Sequence, residues 1–296
     1  MKIGIGTYSF GGMASFLGLG PTLLEKFQTI ASLGFKTVEL LAADLADNDV
    51  EDIKKWLAET GLEAVSVHAE PTEEVVKKMA ALGGKAVIWP MTAMANKAEA
   101  IEVAKILDEM AEMAAPYGIK VAYHNHSPEF FVDEGKALLE HMIENSSKCY
   151  FQLDCGWAMN GGHYPPSFLR RYPGRFISIH VKENSKVHGP GERPRSRHAE
   201  VEQHGGPFDN IKELPREERQ KMLDEMEARM AAMAKDRPIV QCPIGAPESN
   251  IDWVEIKKAL DETSPEAFWI VEREEFYGDH DQCIADDCKW LVENVK

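Results

Sequence analysis

Short apolar runs alternate with amphipathic stretches along the whole chain, and this alternation limits the folds that the sequence can adopt. The runs contain many β-branched and aromatic residues and little polar alternation, as in AVIW and FISIHV, which is typical of parallel strands covered on both faces. Eight runs have this character: residues 2–8, 37–41, 64–68, 85–90, 120–124, 150–154, 175–181 and 268–272. The sequence therefore predicts an α/β fold with a parallel sheet.

The stretches between these runs repeat apolar residues at helical spacing. In the first of them, residues 21–34, a proline can open the helix and a glycine can close it. Another covers residues 97–117 and ends just before a glycine and the next strand. Eight strand and helix units in succession predict one domain, residues 1–296, folded as a single (β/α)8 TIM barrel.

One connection is much longer than the others. The starts of the first seven strands are 21–35 residues apart, whereas the seventh and eighth strands start 93 residues apart. The extra residues, 183–250, form a long insertion between strands 7 and 8, and we expect a lid or subunit arm there. Its basic run at 186–198 carries four Lys or Arg against one Glu, and could meet an anionic substrate group, an acidic neighbouring subunit or solvent.

Composition excludes several classes of protein. The 33 Lys and Arg against 49 Asp and Glu give a formal charge of −16, which argues against a general nucleic-acid binder. No window approaches the roughly 18 consecutive apolar residues of a membrane helix, and the first residues do not resemble a signal peptide, so we expect a cytoplasmic protein without a membrane partner. The five cysteines form no CxxC pair, which argues against a disulfide framework or a zinc–thiolate site.

The last four predicted strands end in chemically active side chains. They stand in VAYHNHSPEF, YFQLDCGWA, FISIHVKE and FWIVEREEF, where each apolar run terminates in His, Asp or Glu. In a barrel, the carboxyl ends of the strands surround one mouth, where barrel active sites are built. The sequence therefore predicts that Asp154, His180, Glu272 and a group from the fifth strand converge at this mouth.

Such a set of side chains suits a divalent metal ion. Carboxylate and imidazole ligands together accept Mn²⁺, Mg²⁺, Co²⁺ or Zn²⁺. Without a cation, carboxylates crowded in one buried place repel each other and raise each other's pKa values. One bound divalent ion is therefore the expected cofactor, with Mn²⁺ placed first, and a hydrogen-bonded network without an ion is the alternative.

Five motifs resemble those of a known family, the sugar phosphate isomerases and epimerases with a xylose-isomerase-like barrel, which also includes inosose dehydratase and endonuclease IV. The resemblance extends over nearly the whole chain and rests on YHNHSPEF at 123–130, QLDCGWA at 152–158, IHVKE at 179–183, PIGAPESNIDW at 243–253 and IVERE at 270–274. The resemblance implies a single divalent metal ion bound by residues that follow strands five to eight, which are here Glu129, Asp154, His180 and Glu272.

The chain departs from the family's pattern in three places. Many relatives end the fifth strand directly in a glutamate ligand, whereas His124 stands there in this chain, so either His124 or Glu129 is the candidate ligand. IHVKE replaces the frequent HLKD, and GAPES replaces the commoner turn of glycine, glutamate and glycine. These departures predict a remodelled pocket edge and leave the substrate open.

Four further residues are candidates for binding substrate. Lys182 lies two residues after His180, so both side chains face the same way on an extended strand and the ammonium could meet a substrate oxyanion. His68 and Trp89 end strands three and four, and Trp157 follows the sixth strand, so all three could line the mouth. The alternatives are a surface position for the lysine and core packing for the rings.

Proton transfer at such a site requires an acceptor and a donor. Glu272 is the preferred acceptor, with His124 or His126 as the opposite acid or base, because epimerisation returns the proton to the other face of the carbon. Glu39 in the second strand could bind a substrate hydroxyl or serve as a structural carboxylate.

These residues favour a divalent-metal-dependent isomerase or epimerase of a keto-sugar or sugar derivative, acting through an enediolate. A lyase or dehydratase on a keto-sugar or keto-glycoside is the alternative, because expulsion of a neighbouring leaving group begins with the same proton abstraction. A non-catalytic barrel, either a sugar sensor or the partner subunit of a heteromeric enzyme, is the second alternative. We expect a small carbohydrate as substrate and a homo-oligomer.

Overall fold

In the computed structural model, the chain forms a closed barrel of eight parallel strands. The structure describes residues 3–183, 186–189, 191–199, 211–236, 242–274 and 276–295. Barrel strands 1 to 8 are Ile3–Gly6, Thr37–Leu41, Glu63–His68, Ala86–Trp89, Lys120–His124, Tyr150–Asp154, Phe176–Val181 and Phe268–Val271. The predicted (β/α)8 fold is confirmed, and each predicted strand end lies within two residues of the observed one.

The strands pair in chain order, and strand 8 closes the barrel on strand 1. Because all pairings are parallel, the carboxyl ends of all eight strands surround the same mouth. The register shifts between Val38 and Glu39 where strand 2 pairs with strand 3, and between Phe151 and Gln152 where strand 6 pairs with strand 7. Irregularities of this kind re-aim side chains, and here each precedes a polar residue that points into the barrel.

Helices follow every strand. They are Gly12–Phe16, Leu23–Ser32, Ala42–Ala46, Val50–Thr60, Glu73–Ala81, Lys97–Ala114, Leu138–Glu144, Cys155–Asn160, Pro165–Arg171, Arg216–Asp236, Trp253–Thr263 and His280–Asn294. Short 3₁₀ turns occur at Thr7–Ser9, Ala115–Tyr117, Pro128–Phe130 and Ile211–Glu213, and Val132–Asp133 pairs antiparallel with Lys136–Ala137. No helix within the described ranges has both the length and the apolar character needed to cross a membrane.

The helix ends follow local side-chain chemistry. Thr22, one residue after Pro21, caps Leu23–Ser32 through a capping box, in which its hydroxyl accepts from Glu25 N at 3.3 Å while Glu25 Oε2 accepts from Thr22 N at 2.8 Å. Gly34 follows that helix with a φ of 94°, in the left-handed region that favours glycine. The predicted start at the proline is therefore displaced by two residues.

The interior of the barrel changes character along its axis. Near the amino ends of the strands, a small apolar cluster fills it, made by Ala86, Ile88, Ala122 and Ile177. Since alternate residues of a strand share a face, the next inward positions towards the mouth are polar, among them His124 on strand 5. The larger apolar core lies between the strands and the surrounding helices. The small apolar cluster therefore lies beneath a layer of polar side chains at the mouth.

The inserted segment follows the rim of the mouth in its first described part. Gly189 donates a backbone hydrogen bond to Asn160 O at 2.8 Å, next to the helix that follows strand 6. Arg193 donates to the carbonyl oxygen of Ala95 at 2.7 Å and to Asp133 Oδ1 at 3.2 Å, on the loops after strands 4 and 5. The segment therefore crosses from strand 7 to the rim near strand 4.

The second described part of the insertion lies against the loop after strand 1. Ile211 and Leu223 pack on Leu17, and Arg219 donates a hydrogen bond to Leu17 O at 2.7 Å. These contacts are made by the first turns of the charged helix Arg216–Asp236 and by the 3₁₀ turn before it. The role of residues 183–250 as a lid or subunit arm stays a prediction.

The basic run of the insertion is compensated within its own chain. Arg193 contacts Asp133, and Ser196 Oγ and the Arg197 amide donate to the Glu99 carboxylate at 2.6 and 3.1 Å. Glu99 also lies in the first turn of Lys97–Ala114, where a helix favours negative charge. Arg197 Nε also lies 3.6 Å from Glu102 Oε1, so the described contacts hold this run against its own chain. Whether the run also meets an anionic substrate group, a neighbouring subunit or solvent stays a prediction.

Gly156 tests how closely the helix after strand 6 must approach strand 7. A Cβ at Gly156 would lie 2.5 Å from Lys182 O, so the Gly156→Ala variant must push Cys155–Asn160 away from strand 7. We expect a loss of about 1–3 kcal/mol in the free energy of unfolding, measured by chemical denaturation. Gly278→Ala is the control, because Cys283 Sγ at 3.9 Å is the nearest atom described around it. Equal stability of the two variants would contradict this packing.

Candidate active site

Polar side chains from six strands meet at the mouth of the barrel in one group, the mouth cluster. Its members are Glu39, His68, His124, Gln152, Asp154, His180, Lys182 and Glu272. All are buried except His68 and Glu272, whose side chains are each 10% exposed. The structure therefore brings together the strand-end residues that the sequence pointed to, although the role of each one stays a prediction.

Glu39 connects two imidazoles across the barrel. Its Oε1 lies 2.6 Å from His180 Nε2 and 3.1 Å from His68 Nε2. Its Oε2 accepts hydrogen bonds from Ser66 Oγ at 2.7 Å and from Gln152 Nε2 at 2.9 Å. Burial raises the pKa of Glu39, but the nearby His68 and His180 lower it more, to about 2. Glu39 is therefore ionised and fully hydrogen-bonded.

Gln152 is a residue that the sequence reasoning missed. Its Oε1 lies 2.7 Å from His68 Nε2 and 2.9 Å from His124 Nδ1, and its Nε2 donates to Ser178 Oγ at 3.0 Å as well as to the carboxylate of strand 2. The available signal is its spacing, because Gln152 precedes Asp154 by two residues on an extended strand and so faces the same way. The amide joins the fifth-strand imidazole to the rest of the cluster.

Three atoms of the mouth cluster lie close together, and two of them have no hydrogen-bond partner among the described residues. Asp154 Oδ1 accepts from Trp157 N at 2.7 Å, whereas Oδ2 has no hydrogen-bond partner among the described residues. His180 Nδ1 is also buried, and no described residue forms a hydrogen bond with it. It lies 3.8 Å from Asp154 Oδ2 and 3.5 Å from Glu272 Oε2.

Charge explains the protonation of this trio. Burial raises the pKa of Asp154 to about 7. Burial alone would lower the pKa of His180, but the Glu39 and Glu272 carboxylates raise it to about 10. Burial would raise the pKa of Glu272, yet Lys182 and His180 hold it well below its ordinary value. The imidazolium of His180 and the ammonium of Lys182 are therefore the positive charges that face these carboxylates.

The same trio fits a divalent cation. One ligand atom each from Asp154, His180 and Glu272 lies within 4.8 Å of the others, which lets one ion reach all three. A second group of this size consists of His68, His124 and His180, but the nitrogens of these rings that face Glu39 and Gln152 are already hydrogen-bonded. The unpartnered atoms make the carboxylate-containing trio the better fit.

Lys182 is buried rather than exposed at the surface. Its Nζ lies 3.1 Å from Glu272 Oε2, 2.6 Å from Glu274 Oε2 and 5.0 Å from the centre of the Trp157 ring. Burial would lower the pKa of Lys182, but Glu272 and Glu274 raise it well above its ordinary value. Glu274 was missed by the sequence reasoning, although it follows Glu272 at the two-residue spacing of one strand face.

Two rings with unpartnered nitrogens stand beside the mouth cluster. In the described part of the structure, neither His126 Nδ1 nor Trp157 Nε1 has a hydrogen-bond partner, although both atoms are buried. The two ring centres are 5.9 Å apart. Burial lowers the pKa of His126 to about 4, so its imidazole is neutral at pH 7. These nitrogens are available to the polar groups of a ligand.

Glu129 does not join the mouth cluster. Its Oε1 accepts from the Tyr123 hydroxyl at 2.6 Å and its Oε2 from His126 N at 2.9 Å. The 3₁₀ turn Pro128–Phe130 folds the carboxylate back onto strand 5, and burial raises its pKa to about 7. His124, by contrast, has Nε2 at 3.9 Å from Asp154 Oδ2.

Trp89 was proposed as a substrate-binding residue together with His68. Trp89 is half-buried and packs against the apolar core, away from the contacts described for the mouth cluster. His68 lies within the cluster, 4.9 Å from the His180 ring and 4.8 Å from the His124 ring. Of these two strand-end residues, only the histidine is therefore placed among the polar groups.

A family model and several solved structures resemble this chain. The model of the xylose isomerase-like TIM barrel family matches residues 27–294. A sugar phosphate isomerase/epimerase from Parabacteroides distasonis is 19% identical, with a TM-score of 0.67, over 100% of this chain and 95% of that chain. No curated protein sequence matches the chain.

Two epimerase structures show the same likeness. A D-tagatose 3-epimerase-like protein is 16% identical over 99% of this chain and 97% of that chain, with a TM-score of 0.60. The D-psicose 3-epimerase from Clostridium cellulolyticum H10, solved with D-tagatose, is 12% identical over 100% of both chains, with a TM-score of 0.61. At these identities the likeness concerns the fold, which is that of sugar isomerases and epimerases.

The raised pKa of Glu129 predicts a pH-dependent stability. The folded protein holds this proton more tightly than the unfolded chain, so the stabilisation is complete below the ordinary pKa of 4.5 and is lost as the pH rises to about 7. Glu129→Gln mimics the protonated form. We expect the stability of this variant relative to wild type to increase by about 3 kcal/mol between these pH values, measured by urea denaturation.

Glu140→Gln is the matched control for that experiment. Burial would raise the pKa of Glu140, but hydrogen bonds from Ala137 N, Arg171 and Tyr172 lower it. The sign is therefore reversed, because a lowered pKa gives stability that is present at high pH and lost as the pH falls. Parallel curves for wild type and Glu129→Gln across the range would show that Glu129 is not held protonated.

Proposed function

The chain belongs to the xylose isomerase-like TIM barrel family, and from this premise we propose that it is a divalent-metal-dependent isomerase or epimerase of a keto-sugar or sugar derivative. The observation that carries the proposal is the convergence of Asp154 Oδ2, His180 Nδ1 and Glu272 Oε2 in a buried mouth, where the first two are unpartnered among the described residues. The epimerase folds of similar structures support the substrate class.

The residues that would hold the cation are Asp154, His180 and Glu272, with a fourth donor from strand 5. Mn²⁺ is our first choice, and Mg²⁺, Co²⁺ and Zn²⁺ accept overlapping ligand sets. When bound, such an ion supplies Lewis acidity that polarises the carbonyl group of a substrate. It would also replace the His180 proton as the counter-charge of the carboxylates.

Proton transfer falls to side chains around this point. Glu272, kept ionised by Lys182 and His180, is the proposed acceptor of the proton next to the substrate carbonyl. The resulting enediolate carries negative charge, which the buried Lys182 ammonium stabilises. His124 or His126 is the proposed second acid or base, for the opposite face of the carbon. Burial keeps the His126 ring neutral, which is the form that accepts the proton when the reaction runs in the reverse direction.

The rings of His126 and Trp157 beside the mouth cluster favour a small substrate. The buried Trp157 Nε1 is a donor only, so it suits a hydroxyl or carbonyl oxygen of a sugar. One face of the same indole has the Lys182 ammonium 5.0 Å from its centre, and an indole ring can also pack on the apolar carbons of a sugar. We therefore propose a monosaccharide-sized carbohydrate that enters with its carbonyl end towards Glu272.

Metal content tests the carrying observation. We expect about one divalent ion per chain in the purified protein after incubation with Mn²⁺, and loss of that ion in Asp154→Ala and His180→Ala, measured by elemental analysis. Circular dichroism confirms that the variants are folded. Asp108→Asn serves as control, because this carboxylate binds backbone amides of Ser147, Lys148 and Cys149 outside the mouth. Equal metal content in all variants would place the ion elsewhere.

Deuterium exchange tests the reaction. The Mn²⁺-loaded protein is incubated in D₂O with a panel of ketohexoses that includes D-tagatose, D-psicose and D-fructose, each with and without phosphate. We expect an isomer of unchanged composition that carries one solvent deuterium at the reacting carbon, and at least a 100-fold lower rate for Glu272→Gln. Products of lower mass would identify a lyase instead, and no exchange with any member of the panel would contradict the proposed function.

A further inference from the structure

The hydrogen bonds around Gln152 have only one consistent direction. An ionised carboxylate is an acceptor without donors, so the Gln152 atom that lies 2.9 Å from Glu39 Oε2 must be the amide nitrogen. The other amide atom is then the carbonyl oxygen, Oε1, and it faces His68 and His124. A flipped amide would set two acceptors against each other at a buried position, which is costly.

The direction of the amide fixes where the imidazole hydrogens lie. Because Gln152 Oε1 accepts, His68 Nε2 at 2.7 Å and His124 Nδ1 at 2.9 Å must each carry a hydrogen. A neutral imidazole has one N–H and one lone pair. In His124 the lone pair is therefore on Nε2, the nitrogen that lies 3.9 Å from Asp154 Oδ2. Glu39 thus sets a tautomer on the far side of the barrel through one amide.

We propose that His124 Nε2 is the strand 5 donor of the cation site and that Gln152 is the positioning residue that presents it. This inference rests on the divalent cation of the proposed function. The resulting set has two imidazoles, His124 and His180, and two carboxylates, Asp154 and Glu272. Because both nitrogens of His124 are then engaged, His126 is left as the second acid or base of the proposed reaction. Glu129, which the family resemblance implied, keeps both oxygens on Tyr123 and His126 N instead.

The exchange of a carboxylate for an imidazole changes the charge of the site. Two carboxylates and two neutral imidazoles balance one divalent ion, whereas three carboxylates and one imidazole leave a net negative charge. Imidazole ligands also favour Zn²⁺ and Co²⁺ relative to Mg²⁺, which prefers oxygen. This chain should therefore bind Co²⁺ or Zn²⁺ much more tightly than Mg²⁺, and a developing negative charge on the substrate meets less repulsion.

The wild-type protein gives the first test, which needs no substrate and uses a variant only to assign the signals. Long-range ¹⁵N–¹H spectra of protein labelled in histidine distinguish the two tautomers through the nitrogen shifts. In the metal-free protein we expect His124 with hydrogen on Nδ1 and a free Nε2, and Zn²⁺ should shift that Nε2 resonance. His124→Gln assigns the signals. A hydrogen on Nε2, or an Nε2 resonance unchanged by saturating Zn²⁺, overturns the proposal.

Variants test the role of the amide. Gln152→Leu removes the acceptor, and we expect a mixture of His124 tautomers and a 10-fold to 100-fold weaker affinity for Co²⁺, followed by its visible absorption. Ser66→Ala is the matched control, because it removes one buried hydrogen bond to Glu39 and leaves the contacts of Gln152 with His68 and His124 in place. Equal Co²⁺ affinity in wild type and Gln152→Leu would overturn the positioning role.

These outcomes separate the inference from the proposed function. If the protein binds metal through His124 but exchanges no deuterium into any sugar, the inference about His124 stands and the proposed reaction is wrong. If the protein turns over sugars but the His124 Nε2 resonance does not shift with Zn²⁺, the proposed reaction stands and the inference about His124 is wrong. Loss of metal in Glu129→Gln, with retention in His124→Gln, would return the strand 5 position to Glu129.

Discussion

Three carboxylates buried at one end of a barrel are the constraint on which the site depends. An ionised carboxylate costs several kcal/mol to bury unless opposite charge and hydrogen bonds compensate it. His180 lies between Glu39 and the pair formed by Asp154 and Glu272, and the Lys182 ammonium contacts Glu272 and Glu274. Every other polar contact in the mouth follows from satisfying these charges. What remains unsatisfied, at Asp154 Oδ2, marks where a further positive charge fits.

Barrel closure turns distant sequence positions into hydrogen-bond partners. Glu39 and Gln152 are 113 residues apart and lie on opposite parts of the sheet, yet their side chains meet at 2.9 Å inside the barrel. A register irregularity precedes each of them, which lets both side chains point inward at the same height. The small residues Ser66 and Ser178 on strands 3 and 7 leave room for this contact and hydrogen-bond to it. The polar layer is thus a property of the closed sheet rather than of any local motif.

The sequence was sufficient for the strands and for the strand-end residues, because periodicity and parallel geometry determine both. It placed Asp154, His180 and Glu272 together because a strand end has one direction in a barrel. It was not sufficient for Glu129, because the direction of a loop residue depends on the 3₁₀ turn Pro128–Phe130 and on the Tyr123 hydroxyl. It missed Gln152 and Glu274, which the two-residue spacing could have indicated. The partners of the basic run at 186–198 were also beyond it, because they come from loops far away in the sequence.

The insertion between strands 7 and 8 can change in sequence independently of the mouth cluster. The mouth cluster is built from strand ends whose positions the sheet dictates, whereas the described parts of the insertion contact the rim at Asn160, Ala95 and Leu17. Mutations, insertions or deletions within that segment alter the rim while the hydrogen bonds of Glu39, Gln152 and His180 stay as they are. Variation in this segment can therefore change the rim without changing the hydrogen bonds of the polar layer beneath it.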